Sequence, residues 1–240
     1  MQLIRLILVF SLITPLSLTR AASEGENVDP LEPINRAMFA INDGMDTYFI
    51  RPLARSYRFV MPDVAERGVS NFFSNLWDAN AAVNAVLQGR LGGAAKDGGR
   101  FVVNSTFGLL GLFDVATGMG IEPYRTDFGH TLAIWGVGSG PYLMVPFFGP
   151  RTLRSGTGTI VDAYGSLQFQ IDDVALRNSL YALEVTDVRA GLLKVDELMT
   201  GDRYIFVRDA YLQQREYFVS DGIVADDFSD FEEGDWDEEF

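Results

Sequence analysis

One histidine, no cysteine and a serine inside a glycine-rich run are what this 240-residue sequence offers to a catalytic reading. His130 is the single imidazole, Asp127 stands shortly before it, and the serine lies in "GVGSGP". A serine hydrolase needs its nucleophile on a tight strand-to-helix elbow flanked by glycines. Val137 and Pro141 occupy those flanking positions, so the elbow is missing and His130 reads as a hydrogen-bonded structural residue. The same glycines make a poor phosphate loop, because no strand is expected before them and no Lys-Ser/Thr pair follows. Absence of cysteine removes disulfides, thiolate metal sites and thiol nucleophiles. The acids near the C-terminus attract Ca²⁺ only weakly, having no loop of EF-hand spacing. The expectation is a protein with no catalytic residue, no cofactor and no metal.

The elements around these residues point elsewhere. A formal charge of -14 argues against nucleic acid, whose phosphates require basic patches. Hydrophobic residues make up 48% of the chain, with 18 phenylalanines, enough for a full core and some apolar surface besides. The N-terminus, "MQLIRLILVFSLITPLSLTRAAS", has Arg5, an apolar run from Leu6 to Ile13, Pro15 and then small residues. It reads as a secretory signal peptide over residues 1–23, cleaved after Ala21 or Ser23, with a retained anchor disfavoured because the run is too short to span a bilayer. Loss of Arg5 and Arg20 would move the charge from -14 to about -16.

Residues 24–33 form an extended lead-in, and 34–221 read as a mainly α domain. Ile34, Met38, Ile41, Met45 and Tyr48 recur at helical spacing, with Pro52 expected to end or bend that helix. A long helix follows Pro62, opened by an Asp63/Glu66 capping box and stopped at Gly89; its expected apolar face is Val69, Phe72, Phe73, Leu76, Trp77, Val83, Val86 and Leu87. Phe72, Phe73, Leu76 and Trp77 span so broad an arc that they read as either core or membrane-facing. Further helices are expected through "AAKDGGRFVVNSTFG", "RTLRSGTGTIVDAYGS", "DVALRNSLYALEVTDVRAGLLKVDELM" and "DRYIFVRDAYLQQREYFVS", the last capped by Asp202. Residues 222–240 carry an acidic tail with Phe228, Phe231, Trp236 and Phe240 interspersed. It reads as a disordered solvating segment, or as a short linear motif for a basic partner.

The stretch from Gly129 to Pro150, "GHTLAIWGVGSGPYLMVPFFGP", holds no acid, lysine or arginine. Gly136, Gly138, Gly140, Pro141 and Pro146 forbid a continuous helix, so it is expected to form an apolar hairpin. Such backbone is tolerated at membrane depth only when it is buried in protein or lines a cavity.

"DPLEPINRAMFAIND", "RPLARSYRFVMP", "NFFSNL", "RFVVNSTFGLLGLFDVA" and "DFGHTLAIWGVGSGPYLMVPFFGP" occur in that order, and the chain resembles the MlaA (VacJ) family of outer-membrane proteins from about Asp29 to about Ser220. The resemblance implies a ring-like arrangement of amphipathic helices in the inner leaflet of the Gram-negative outer membrane, around a central amphipathic channel. It implies removal of mislocalised phospholipid from the outer leaflet, transfer to the periplasmic carrier MlaC, and association with trimeric porins. It places the hairpin beside the channel, so Leu143, Met144, Val145, Phe147 and Phe148 are the expected lipid path, with Gly136, Gly138 and Gly140 allowing the loop its shape. An outer-membrane scaffold that docks porins and recruits a partner through its tail is the second reading; a hydrolase using His130 is a distant third. The sequence departs from the family in lacking the lipobox cysteine, which predicts membrane residence by the helices and not by a lipid on cysteine. Ala79 stands where proline is common, and Ser155 where aspartate is usual.

Overall fold

The computed structural model describes residues 29–197 and 199–220. The expected signal peptide, the lead-in before Asp29 and the acidic tail lie outside the described residues. Among the described residues the chain is mainly helical, with one two-stranded sheet.

Helix α1 (Glu32–Met45) begins with Glu32 and Pro33 in its first turn, where an acid suits the helix dipole and proline lacks only an N–H that needs no partner. Pro52 does not end it. A π-helical segment, Asp46–Ile50, leads directly into α2 (Arg51–Val60), and Pro52 falls in the first turn of α2, where it is harmless. The expected break is therefore a change of pitch. Helix α3 (Asp63–Leu87) starts at Pro62 with no side-chain cap, so the Asp63/Glu66 capping box does not form; both acids serve the dipole instead. Gly89 ends it at φ 73°, as expected.

Helix α4 (Leu91–Thr106) turns back along α3. Ala81 and Ala85 are buried on α3, and a Cβ on Gly98 would stand 3.7 Å from that of Ala82, so small residues let the two helices approach closely. A short turn α5 (Val115–Gly118) and helix α6 (Phe128–Ile134) are capped by Asp114 and Asp127. Strands β1 (Tyr142–Val145) and β2 (Gly149–Thr152) form an antiparallel hairpin with Tyr142 opposite Thr152. Helix α7 (Leu153–Gly165) opens with a reciprocal cap between Thr152 and Ser155. Helices α8 (Val174–Gly191) and α9 (Arg203–Val219) are capped by Asp173 and Asp202, the latter as expected. At the α6/α7 crossing a Cβ on Gly158 would lie 2.3 Å from the Gly129 nitrogen, so the two backbones touch and only glycine fits.

Polar and charged side chains outnumber apolar ones among the buried residues, and half of the apolar ones are alanines. On α3 the inward residues are Asn75, Asp78, Asn84, Phe73 and the alanines, whereas Trp77, Val83, Val86 and Leu87 point outward. The expected apolar face is thus not the packed face: Phe73 alone of that set is buried, Phe72 and Leu76 are half-buried, and Trp77 is exposed. Phe59, Val60, Phe107, Leu109, Leu110 and Phe113 extend the outward apolar surface. Leu109 and Leu110 even adopt left-handed backbone (φ 51° and 60°), at a cost of roughly 1–2 kcal/mol each. Contiguous exposed apolar surface of this kind marks contact with lipid or with another protein. Among the described residues no helix is long and apolar enough to cross a membrane.

Candidate functional site

The hairpin hangs on α1 through two asparagines placed two helical turns apart. Asn35 Nδ2 donates to the Tyr142 carbonyl (3.0 Å) while its Oδ1 accepts from the Met144 N–H (2.8 Å). Asn42 repeats the arrangement nearer the tip, donating to the Val145 carbonyl (3.0 Å) and accepting from the Phe147 N–H (2.8 Å). Each carboxamide stands in for a peptide of a neighbouring strand and satisfies the free edge of β1. Asp29 completes the anchor: it accepts from Asn35 (2.8 Å) and from the Tyr204 hydroxyl. The "DPLEPINR" stretch therefore acts as a clamp on the hairpin. Sequence reading passed over both asparagines, which look like ordinary polar positions of an amphipathic helix; their spacing was the available signal. Replacement Asn42→Ala should cost about 1 kcal/mol, the worth of lost hydrogen bonds at a partly exposed site. Amide hydrogen exchange should quicken at residues 145–149 and stay unchanged at Tyr142.

Strand alternation divides the expected lipid-path residues. Tyr142 and Met144 are buried against Tyr204 and belong to the core, with Met38, Phe39 and Val207 around them. Leu143 and Val145 are half-buried. Phe147 and Phe148, at the tip, are 70% and 65% exposed. Phe147 sits at φ 67°, a conformation held by the Asn42 bond and by Gly149, which follows at φ 75°. Gly136 and Gly140 also have positive φ, and a Cβ on Gly140 would come within 2.9 Å of Leu153; Gly138 lies between them in the same exposed loop.

Four cavities run past the hairpin and share wall residues. The largest, about 510 Å³, is lined by Phe147, Phe148, Trp77 and Val188 on its apolar side and by Asp46, Gln168 and Arg189 on its polar side. Trp77, Arg151 and Thr159 also line a second cavity of about 230 Å³ that holds Asp127 and Arg215. Arg215 in turn lines a third, about 370 Å³. A fourth, about 300 Å³, lies on the α1 side and shares Asp46 and Arg189 with the largest. Trp77 is thus neither core nor simple exterior: its indole donates to Glu184 (2.8 Å) at the junction of two cavities.

Ion pairs brace these walls. Arg189 bridges Asp46 (2.6 Å) and Asp196 (2.7 Å), tying the π-helical segment to α8. Arg215 grips Asp127 through both terminal nitrogens (2.5 and 2.8 Å). Burial opposes the charge of Asp127, but Arg215 overcomes it and holds the carboxyl below its usual range. Asp162 goes the other way: burial raises it despite bonds from the Phe128 N–H, Asn80 and Asn84.

His130 is buried, with Nδ1 at 3.1 Å from the Thr126 hydroxyl and its ring against Phe218. Among the described residues no group of acids and histidine is arranged to hold a metal. Replacement His130→Gln should lower stability by about 1–3 kcal/mol through lost packing and an imperfect hydrogen bond. Wherever the variant accumulates, cells should behave as they do with the wild type; loss of the wild-type phenotype at normal abundance would point to chemistry at this ring.

Outward apolar side chains on the helices, with an apolar hairpin clamped on α1 beside cavities that carry charged groups on their walls, define a mainly helical protein with surplus apolar surface. The MlaA lipoprotein family model matches residues 27–218, and the chain belongs to that family. It is 38% identical over 204 residues to the intermembrane phospholipid transport system lipoprotein MlaA of Shigella flexneri, and equally to that of Escherichia coli K12, covering 81% of this chain and 79% of each relative. The Haemophilus influenzae protein of the same name is 31% identical over 90% of this chain and 91% of its own length. A solved structure described under "Structural basis for maintenance of bacterial outer membrane lipid asymmetry" superposes with a TM-score of 0.69 at 38% identity, over 80% of this chain and 100% of that one. The relatives are named lipoproteins, whereas these 240 residues contain no cysteine to carry a thioether-linked lipid.

Proposed function

We propose that this protein moves phospholipid across part of the outer membrane to maintain its lipid asymmetry. The observation that carries the proposal is the group of neighbouring cavities beside the hairpin, with both apolar and charged side chains on their walls, in a protein whose helices turn large apolar side chains outward. Acyl chains fit the Phe147, Phe148 and Trp77 side, and a headgroup fits the Asp46, Arg151 and Arg189 side. Its membrane-named relatives support the same reading. In this reading the helices form a ring in the inner leaflet, and the protein works without a catalytic residue. Mislocalised outer-leaflet lipid enters the passage and is handed to MlaC, and the apolar exterior meets trimeric porins.

Residence without a cysteine-linked lipid follows from the outward Phe59, Val60, Leu109 and Leu110. Most of the protein should therefore stay in the membrane fraction through high-salt and carbonate washes; release into the wash would replace an embedded ring with a peripheral protein. Phospholipid should co-purify with detergent-extracted protein, and deletion should raise outer-leaflet phospholipid. A protein that stays embedded and holds porins, but carries no phospholipid and leaves the outer leaflet unchanged on deletion, would be a scaffold.

A further inference from the structure

The 370 Å³ cavity between the loop 136–141, the start of α7 and the end of α9 is lined by two arginines, only one of which has a carboxylate partner among the described residues. Arg154 lines it and carries no ion pair among the described residues. Its one side-chain hydrogen bond among the described residues is from Nη1 to the Val137 carbonyl (2.9 Å), and its Nε is buried without a partner. Arg215 lines the same cavity; its terminal nitrogens are committed to Asp127, while its Nε is also buried and unpartnered. Burial and then the neighbouring Arg215 both weaken the hold of Arg154 on its proton. Two guanidinium groups side by side, one lacking a carboxylate, form a site short of an anion. Glu216, on the same wall, is exposed and without an ion pair among the described residues. Leu212 and Val219 supply an apolar strip beside it, and Ser139 a hydroxyl.

Resting on the passage reading above, we propose that this cavity is a headgroup subsite for a zwitterionic, amine-bearing phospholipid. The phosphodiester lies against the Arg154 guanidinium, the ammonium faces Glu216, and the first carbons of the lipid lie along Leu212 and Val219. An arginine suits the phosphate because its donors are directional and it stays charged. A headgroup carrying both signs satisfies Arg154 and Glu216 together, which an anionic glycerol headgroup does not. Arg215 stands on the wall of this cavity and of the neighbouring 230 Å³ cavity, which places the subsite next to the proposed passage.

The full chain, purified in detergent, is titrated with short-chain phosphatidylethanolamine, short-chain phosphatidylglycerol, and glycerophosphoethanolamine, which has the headgroup but no acyl chains. Expected is at least about fivefold tighter binding of the ethanolamine lipid than of the glycerol lipid. Arg154→Met should weaken both lipids about tenfold or more, Arg154→Lys should recover part of the loss, and Glu216→Gln should erase the preference between them. Equal affinity of wild type for the two lipids, unchanged binding by Arg154→Met, or binding of glycerophosphoethanolamine as tight as of the lipid would each overturn the subsite. Glu216→Gln, at an exposed position, tests the idea even if the arginine variants misfold. The passage reading is tested apart from this: should wild type still carry co-purified phospholipid and keep the outer leaflet clear, it survives the loss of the subsite.

Discussion

Phe147→Arg is expected to leave a folded, membrane-resident protein that fails to clear outer-leaflet phospholipid, whereas Met144→Arg should not accumulate. The two residues stand on one hairpin and were expected to act alike. Met144 is 4% exposed and packed against Tyr142 and Tyr204. The carboxylates on the walls of the adjoining 300 Å³ cavity, Asp43, Asp46 and Asp196, are already paired with Arg203 and Arg189, so an arginine at Met144 has no free partner, and an unpaired buried charge costs about 3–5 kcal/mol, a large part of the total stability of a domain. Phe147 is 70% exposed at the tip and lines the largest cavity. Its arginine can keep the head solvated, so the stability change should stay within about 0.5 kcal/mol. The same head would put a fixed cation into the apolar side of the lipid route, where charge is expensive for acyl chains to pass. Thermal midpoint, membrane abundance and outer-leaflet phospholipid are measured together for both variants. Early melting or absence of Phe147→Arg would return the tip to the core; normal stability of Met144→Arg would mean the hairpin does not pack as described.

Arg100→Met should be the most destabilising change at a site far from the cavities beside the hairpin. Arg100 is buried between α3 and α4, pairs with Asp78 (3.0 Å) and Asp114 (3.1 Å), and donates to the Thr117 hydroxyl and the Ile121 carbonyl. Removing it leaves Asp78 buried and unpaired, again about 3–5 kcal/mol. Burial already pushes Asp78 up to about 6 with Arg100 beside it. Without the arginine the carboxyl should rise further. A carboxyl raised above its unfolded value destabilises at high pH, and that penalty fades as pH falls through the folded pKa toward the unfolded one. The deficit of Arg100→Met should therefore be full above the raised value that Asp78 has in the variant and shrink as the pH is lowered to about 6 and below, where Asp78 becomes protonated in the folded wild type as well. The double variant Arg100→Met/Asp78→Asn should recover most of the loss at pH 7. A deficit that grows on acidification would show that the pair is not the source.

Helix periods, caps and breakers were legible locally, because they depend on a residue and its near neighbours. The α3 and α9 boundaries, the Asp202 cap and the hairpin between Pro141 and Thr152 follow from glycine, proline and apolar spacing. The family was legible in the "DPLEPINR" and "FGHTLAIWGVGSGPYLMVPFFGP" stretches. Other features depended on what lies across space. Pro52 gave no sign that a π-helical segment would carry the chain past it, since that segment is held by Arg51 and Arg189 on Asp46. The broad apolar arc of α3 showed two faces but not which one packs inward; periodicity reports contrast, and the direction is set by the surroundings of the finished fold. Strand parity then separated Met144 from Phe147, and only the packing of α1 and α9 decided which of them faced the core. The clamp of Asn35 and Asn42 on β1, and the meeting of Arg154 with Arg215, bring together residues from distant parts of the chain. Their hydrogen bonds and charges exist only once the helices are in place, so tertiary structure alone decided them.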